Sequence, residues 1–170
     1  MKNLKANEYV PYQMNYIKLV SEQNIVKGLI DQKLEMIHFF SSIPVFKQEY
    51  RYQEGKWTIK DLLLHLIDAE RVFVYRALRI VRNDSTPLPG FDENSYAANA
   101  DASHRNWKDM LIEWRTVRQA TNLLFASFTP DQLKTKGNCN GHDVTVNALG
   151  FILFGHALHH LHILKERYDI

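Results

Sequence analysis

The chain is short of the residues that build disulfide frameworks, thiolate zinc sites and turn-rich β folds. Its 170 residues include one cysteine, Cys139, with 7 glycines and 5 prolines. A single thiol forbids an intrachain disulfide and excludes a zinc site made of several cysteines. So little Gly and Pro is sparse punctuation for a chain of many short strands. An excess of charge of one sign is also missing, since the formal net charge is only +2. That is too small for the basic stripe a nucleic acid or an anionic membrane would need, so neither is expected as a partner. Residues 1–20 carry Lys2, Lys5, Glu8 and Lys18 with no apolar core, unlike a signal peptide. The most apolar stretch, Ala148 to Leu164, contains His156, His159, His160 and His162, which makes membrane insertion costly. With one thiol and no export signal, the expected location is the cytoplasm.

What is present is an ordinary folding composition, 45% hydrophobic and 24% charged, in a length that predicts one domain over residues 1–170. Pro and Gly cluster at Pro44–Gly55, Pro87–Gly90 and Pro130–Gly141, and the gaps between them leave room for four long helices. The first is expected from about Glu22 to Ser41, with Ser21 as N-cap. The second begins at Thr58, with Asp61 completing a variant capping box, and runs to about Arg82. Its inner stripe reads Leu62, His65, Ala69, Val72 and Arg76, flanked by Ile59, Leu66 and Phe73. The third follows Ser103 and ends near Phe128, with Met110, Trp114, Val117, Thr121, Leu124 and Phe128 as its seam. The fourth runs from about Thr145 to Arg167 on a seam of Val146, Leu149, Leu153, His156, His160 and Ile163. Alternating steps of four and three are the spacing of a bundle helix, so the fold class is all-α, a four-helix bundle. No segment alternates with period two long enough to predict a strand. Residues 1–20 are expected to be extended, with Tyr9, Tyr12 and Tyr16 packed on the outside of the bundle, and the connection from Asn83 to Ala102 is long enough to carry a crossover or wall a pocket.

Histidine is the one compositional excess, with 8 residues. His156 and His160 are four apart on an inward seam, so they stack on one helix face. His65 holds the matching position on the second helix. Three imidazoles from two facing helices can hold a metal ion in a bundle core. A lone His on an apolar face is more often a hydrogen-bonded core residue, and the spacing alone leaves both readings open. His159 and His162 lie about 60° and 120° off the His156 direction and read as flank or surface residues. The zinc-protease helix motif is excluded because residue 157 is Ala, not Glu. The di-iron pattern is excluded because residues 62, 153 and 157 are Leu, Leu and Ala.

The run Lys56-Trp57-Thr58-Ile59-Lys60-Asp61-Leu62-Leu63-Leu64-His65-Leu66-Ile67-Asp68 resembles the second-helix signature of the DinB superfamily. Gly155-His156-Ala157-Leu158-His159-His160-Leu161-His162 resembles its fourth-helix Gly-His-x-x-His-His pattern. Arg71, Tyr75-Arg76-Ala77-Leu78-Arg79, Pro87-Leu88-Pro89-Gly90-Phe91 and Val144-Thr145-Val146 are similar as well. The likeness extends from about Tyr16 to Tyr168 and is nearest to the YfiT-like and bacillithiol-transferase-like branch. It implies up-down-down-up connectivity and a divalent metal, zinc or nickel, on His65, His156 and His160, with His159 in the motif but not a ligand. It also implies a metal-dependent thiol S-transferase, in which a low-molecular-weight thiol is the co-substrate and a small electrophile the acceptor, in detoxification or stress. The alternatives are a metal-dependent hydrolase that activates water, and a non-catalytic metal-stabilised or ligand-sensing bundle. Asp61 and Asp68 lie four before and three after His65, and either could orient that ring or be a plain surface charge. Trp107, Trp114, Phe125, Phe128, Phe151 and Phe154 are more aromatic surface than two seams require, which predicts a homodimer.

Overall fold

The computed structural model describes residues 4–170. Its helices are, in chain order, α1 (Met14–Ile17), α2 (Ile25–Ser42), α3 (Ile59–Val81), α4 (Glu93–Ala100), α5 (Trp107–Ala126), α6 (Pro130–Leu133) and α7 (Val146–Arg167). The four long ones, α2, α3, α5 and α7, are the four that the hydrophobic period predicts. Side-chain caps set where they begin. The Asn24 side chain accepts from the N–H groups of Val26 and Lys27, so α2 starts there and not at Ser21. Thr58 and Asp61 form the predicted capping box: Thr58 Oγ1 accepts from the Asp61 N–H at 3.0 Å, and Asp61 Oδ2 accepts from the Thr58 N–H at 2.9 Å. Asn106 caps α5, leaving Ser103 in a preceding 3₁₀ turn. Thr145 caps α7 by accepting from the Ala148 N–H.

Packing partners give the connectivity. Lys33 reaches Gln119 and the Phe40 ring meets Trp107, so α2 and α5 run antiparallel. Gly28 abuts Phe154 and Glu35 pairs with Lys165, so α2 and α7 run parallel. Leu62 and Leu66 share one apolar cluster with Met110, Trp114, Leu161 and Leu164, while Ala77 and Ile80 share the other with Phe125, Phe128, Val146 and Leu149. Helix α3 is therefore parallel to α5 and antiparallel to α7. The result is the up-down-down-up bundle, in which the consecutive helices α2 and α3 lie across the bundle from each other and each packs on α5 and α7.

Between the two apolar clusters runs a buried polar layer that the helical periodicity does not reveal. Arg118 on α5 donates from Nε and Nη2 to the Glu70 carboxylate on α3, at 2.8–3.0 Å, and from Nη1 to Gln32 Oε1 on α2 at 2.6 Å. Thr121 Oγ1 donates to Glu70, and Gln32 Nε2 donates to the Phe154 carbonyl on α7 at 2.9 Å. All four side chains are buried. One hydrogen-bonded group thus ties the four long helices together at mid-height.

The structure departs from the sequence expectations in three places. The segment before α2 is not extended: Pro11–Gln13 form a 3₁₀ turn that leads into α1, and α1 packs on α7. Tyr16 points into the protein, whereas Tyr12 stays exposed. Gly155 makes this possible, because a Cβ there would overlap the backbone carbonyl of Tyr16. The second departure is a hairpin, with β1 (Lys136–Cys139) antiparallel to β2 (His142–Thr145) in the register Lys136↔Thr145 to Cys139↔His142. Four-residue strands are too short for a period-two pattern, but Asn140 and Gly141 both take positive φ, the two-residue turn that an Asn-Gly pair favours. Leu88, in the long connection, hydrogen-bonds to this hairpin on both sides, through its N–H to Asn138 and its carbonyl to Asn140. That connection also carries α4. The third departure concerns the aromatic excess. Trp114, Phe125, Phe128, Phe151 and Phe154 are buried within the one chain, and Trp107 is half-buried against the apolar cluster that holds Met110 and Leu161, so most of that aromatic area is covered without a partner.

Candidate metal centre

His65 sits in the second turn of α3, where the Thr58–Asp61 cap sets the helix phase. His156 and His160 sit one above the other on α7, and the antiparallel packing of the two helices brings the three rings together. The Nε2 atoms of His65 and His160 each lie 3.1 Å from Nε2 of His156. The three residues form the one set of His, Cys, Asp or Glu among the described residues whose ligand atoms could share a metal ion. His65 and His156 are buried and His160 half-buried.

Rings pack around the three imidazoles. Trp57 lies tilted over His65 with centroids 4.6 Å apart and is stacked on His160 at 6.4 Å. Tyr16 meets His156 edge-on at 5.4 Å, and Phe73 does so at 5.8 Å. This apolar surround disfavours the charged imidazolium. Burial pushes the His65 pKa down to about 4. Burial first, then the neighbouring imidazoles, hold His156 and His160 well below the ordinary value. At neutral pH the rings are therefore uncharged, and each can offer a lone pair.

The donor set fits a divalent cation. Nitrogens bound at 2.0–2.1 Å to one tetrahedral ion stand about 3.3–3.4 Å apart, within a few tenths of an ångström of the separations here. Three convergent lone pairs would repel one another with nothing between them, whereas an ion at their centre satisfies all three. His160 Nδ1 is buried with no hydrogen-bond partner among the described residues, so packing against Trp57, and not an acceptor, holds that ring. Neither carboxylate considered for an orienting role takes it. Asp61 Oδ2 is held by the N–H and hydroxyl of Thr58, and Asp68 pairs at 3.6 Å with Arg71. Burial raises the Asp68 pKa, and no hydrogen bond joins it to His65 among the described residues.

The imidazoles open into a cavity of about 310 Å³ whose walls come from across the chain, namely the α1 segment, α3, the long connection, the hairpin and α7. His159 lines it beside Tyr16, and His142 lines it from the hairpin. His162 is exposed, and His104 lies on the surface beside Asp101. Helical periodicity could not find Trp57 and Tyr16, because neither belongs to a long seam. The signal for Trp57 was its place directly before a capping Thr, where an apolar residue packs back on the helix it precedes.

No curated protein matches the chain. Among solved structures it is similar to YfiT from Bacillus subtilis, with a TM-score of 0.73 at 14% sequence identity, covering 98% of this chain and 91% of that one. YfiT is described as a probable metal-dependent hydrolase with an unusual four-helix bundle topology, and the likeness concerns the fold. The model of the DinB superfamily matches residues 34–164, a span that includes all three convergent imidazoles. With its four-helix topology and its two histidine motifs in register, this chain belongs to the DinB superfamily.

Proposed function

We propose that the chain is a divalent-metal-dependent enzyme that transfers a low-molecular-weight thiol to a small electrophile, with His65, His156 and His160 as the metal ligands. One observation carries the reading: three uncharged Nε2 donors converge at the wall of a cavity, with no carboxylate on them among the described residues. Neutral donors leave a zinc or nickel ion its full double charge and at least one open position, so the ion would supply a Lewis acid that favours thiolate over thiol. The chain's own groups do the rest. Trp57, Tyr16 and Phe73 exclude water around the imidazoles, and the cavity holds both reactants against them. His159, which lines the cavity beside Tyr16, can take the thiol proton on a ring nitrogen. The sulfur then forms a bond to the electrophilic carbon, and the leaving group departs with the electron pair of the bond that breaks.

Hydrolysis of an ester or amide is the second reading, favoured by the fold likeness to YfiT and its description. Metal analysis of protein purified without a His tag, followed by turnover across panels of thiols, electrophiles and esters, separates the two. Thiol-dependent loss of electrophile is expected. Thiol-independent ester cleavage would replace the transferase reading with the hydrolase, and a metal-loaded protein silent in both assays would leave a sensing or structural bundle.

A further inference from the structure

Arg76 lies eleven residues along α3 from His65, which is about 16 Å of helix axis and within about 20° of the same direction. Both side chains line the same cavity. Arg76 is 8% exposed, and a guanidinium stays charged when buried. Its surroundings are neutral: Nη2 donates to the Pro89 carbonyl at 2.7 Å, and the rings of Phe73 and Phe91 lie 6.0 and 5.9 Å from Cζ. Glu93 is the one acid among the described residues of the cavity wall, and it makes no ion pair with Arg76. The contrast with Arg118 is direct, because that buried guanidinium has the Glu70 carboxylate. An uncompensated buried cation is costly, and a folded chain keeps one where a ligand supplies the anion.

The site is also held in place from outside. Leu88, next to Pro89, is hydrogen-bonded on both sides to the hairpin, so the carbonyl that fixes Nη2 is itself fixed. Pro89 takes one of five guanidinium protons, which leaves donors for a planar acceptor. Arg76 is the one permanent cation among the described residues of this cavity, a match for a carboxylate more than for a doubly charged phosphate.

We propose that Arg76 anchors a carboxylate of the small-molecule substrate, whose reactive end lies at the three imidazoles. The placement of that reactive end rests on the metal-site reading above; the anchor itself does not. The test titrates full-length protein as purified, its metal content measured on the same sample, with phenylacetate, 3-phenylpropionate and 4-phenylbutyrate and with their three amides. In calorimetry at least one acid should bind tenfold or more tightly than its amide. Arg76→Met should abolish that preference, Arg76→Lys should keep part of it, and His160→Ala should leave it intact, with circular dichroism checking each variant's fold. If Arg76→Met does not fold, Arg76→Lys decides the matter, since loss of the planar fork must weaken the acid severalfold and spare the amide. The proposal is overturned if no acid exceeds its amide, if the preference survives in both Arg76 variants, or if it disappears with His160→Ala and the acid therefore sits on the metal. A metal-free sample with an Arg76-dependent preference would sink the metal reading and support the anchor.

Discussion

At the scale of single residues, the site is defined by which nitrogens can be reached at once. His65, His156 and His160 meet at Nε2, whereas His162 is exposed on the far side of the same helix. Replacing any of the three by Ala should weaken metal retention by more than about a hundredfold, since even the partners of ligands contribute tenfold to a hundredfold. His162→Ala should leave it unchanged. Metal content after dialysis against a weak chelator reads both outcomes, and full retention in His65→Ala would remove that residue from the ligand set. Protons compete for the same nitrogens. The folded pKa values of the three rings lie below the unfolded value, to about 4 for His65, so between that value and about 6.5 the unfolded chain binds more protons. The stability from burying neutral rings is therefore fully present above about pH 6.5 and is lost as pH falls towards the folded values. Urea midpoints of chelated protein should fall steadily from pH 7 to pH 4.5, and a flat profile would mean that the rings take up protons as readily in the fold as in the unfolded chain.

At the scale of elements, what matters is how α7 is held. Its histidine face is positioned by α1 above Gly155 and by the polar layer below, where Gln32 links the Phe154 carbonyl to Arg118 and Glu70. Removing one partner of a buried ion pair typically costs about 3–5 kcal/mol, because the other charge is left without compensation. Arg118→Met should destabilise the protein by roughly that amount in urea melts. The double variant Glu70→Met with Arg118→Met should recover much of the loss, and a double variant as weak as the sum of the singles would contradict the pairing. Gly155→Ala tests the other contact. The added methyl meets backbone, which cannot rotate away, so α1 must shift at a cost of about 1–3 kcal/mol. Trypsin should then cut faster after the exposed Lys18, which follows α1 directly.

For the molecule as a whole, the question is whether an ion held by the three imidazoles would hold the fold together. Two apolar clusters and the polar layer join all four long helices, while the three imidazoles link only α3 and α7. A chain of this length can bury a sufficient core by itself, unlike a zinc finger, and structural zinc sites normally have four protein ligands. Chelation should leave the helical circular-dichroism signal near native and lower Tm by less than about 10 °C, while removing activity. Global unfolding on chelation would make the site structural and would undercut both enzymatic readings. No helix among the described residues is long and apolar enough to cross a membrane, as the four histidines in the most apolar stretch already implied.

The four long helices, most of their boundaries and the three convergent imidazoles are all legible in the sequence. Each is a periodic property: apolar residues every three or four positions, a cap at the start, and His156 and His160 one turn apart on the inward face. Local periodicity says which face turns inward, but not what it meets there. Only the tertiary structure could decide that Arg118 faces Glu70 and Gln32 across three helices. It alone places Trp57 and Tyr16, which belong to no long seam, around the imidazoles. It also shows that an apparent aromatic excess is core. The cavity is the clearest case. The α1 segment, the long connection, the hairpin, α3 and α7 all contribute to it from distant parts of the chain. Arg76 reads along α3 as one more position in a helical stripe. Its meaning comes from what the fold brings beside it, two rings and a carbonyl but no carboxylate among the described residues. Spacing along a helix is local and so can be read from the letters, whereas the partner of a buried charge depends on which distant segments the packing brings together.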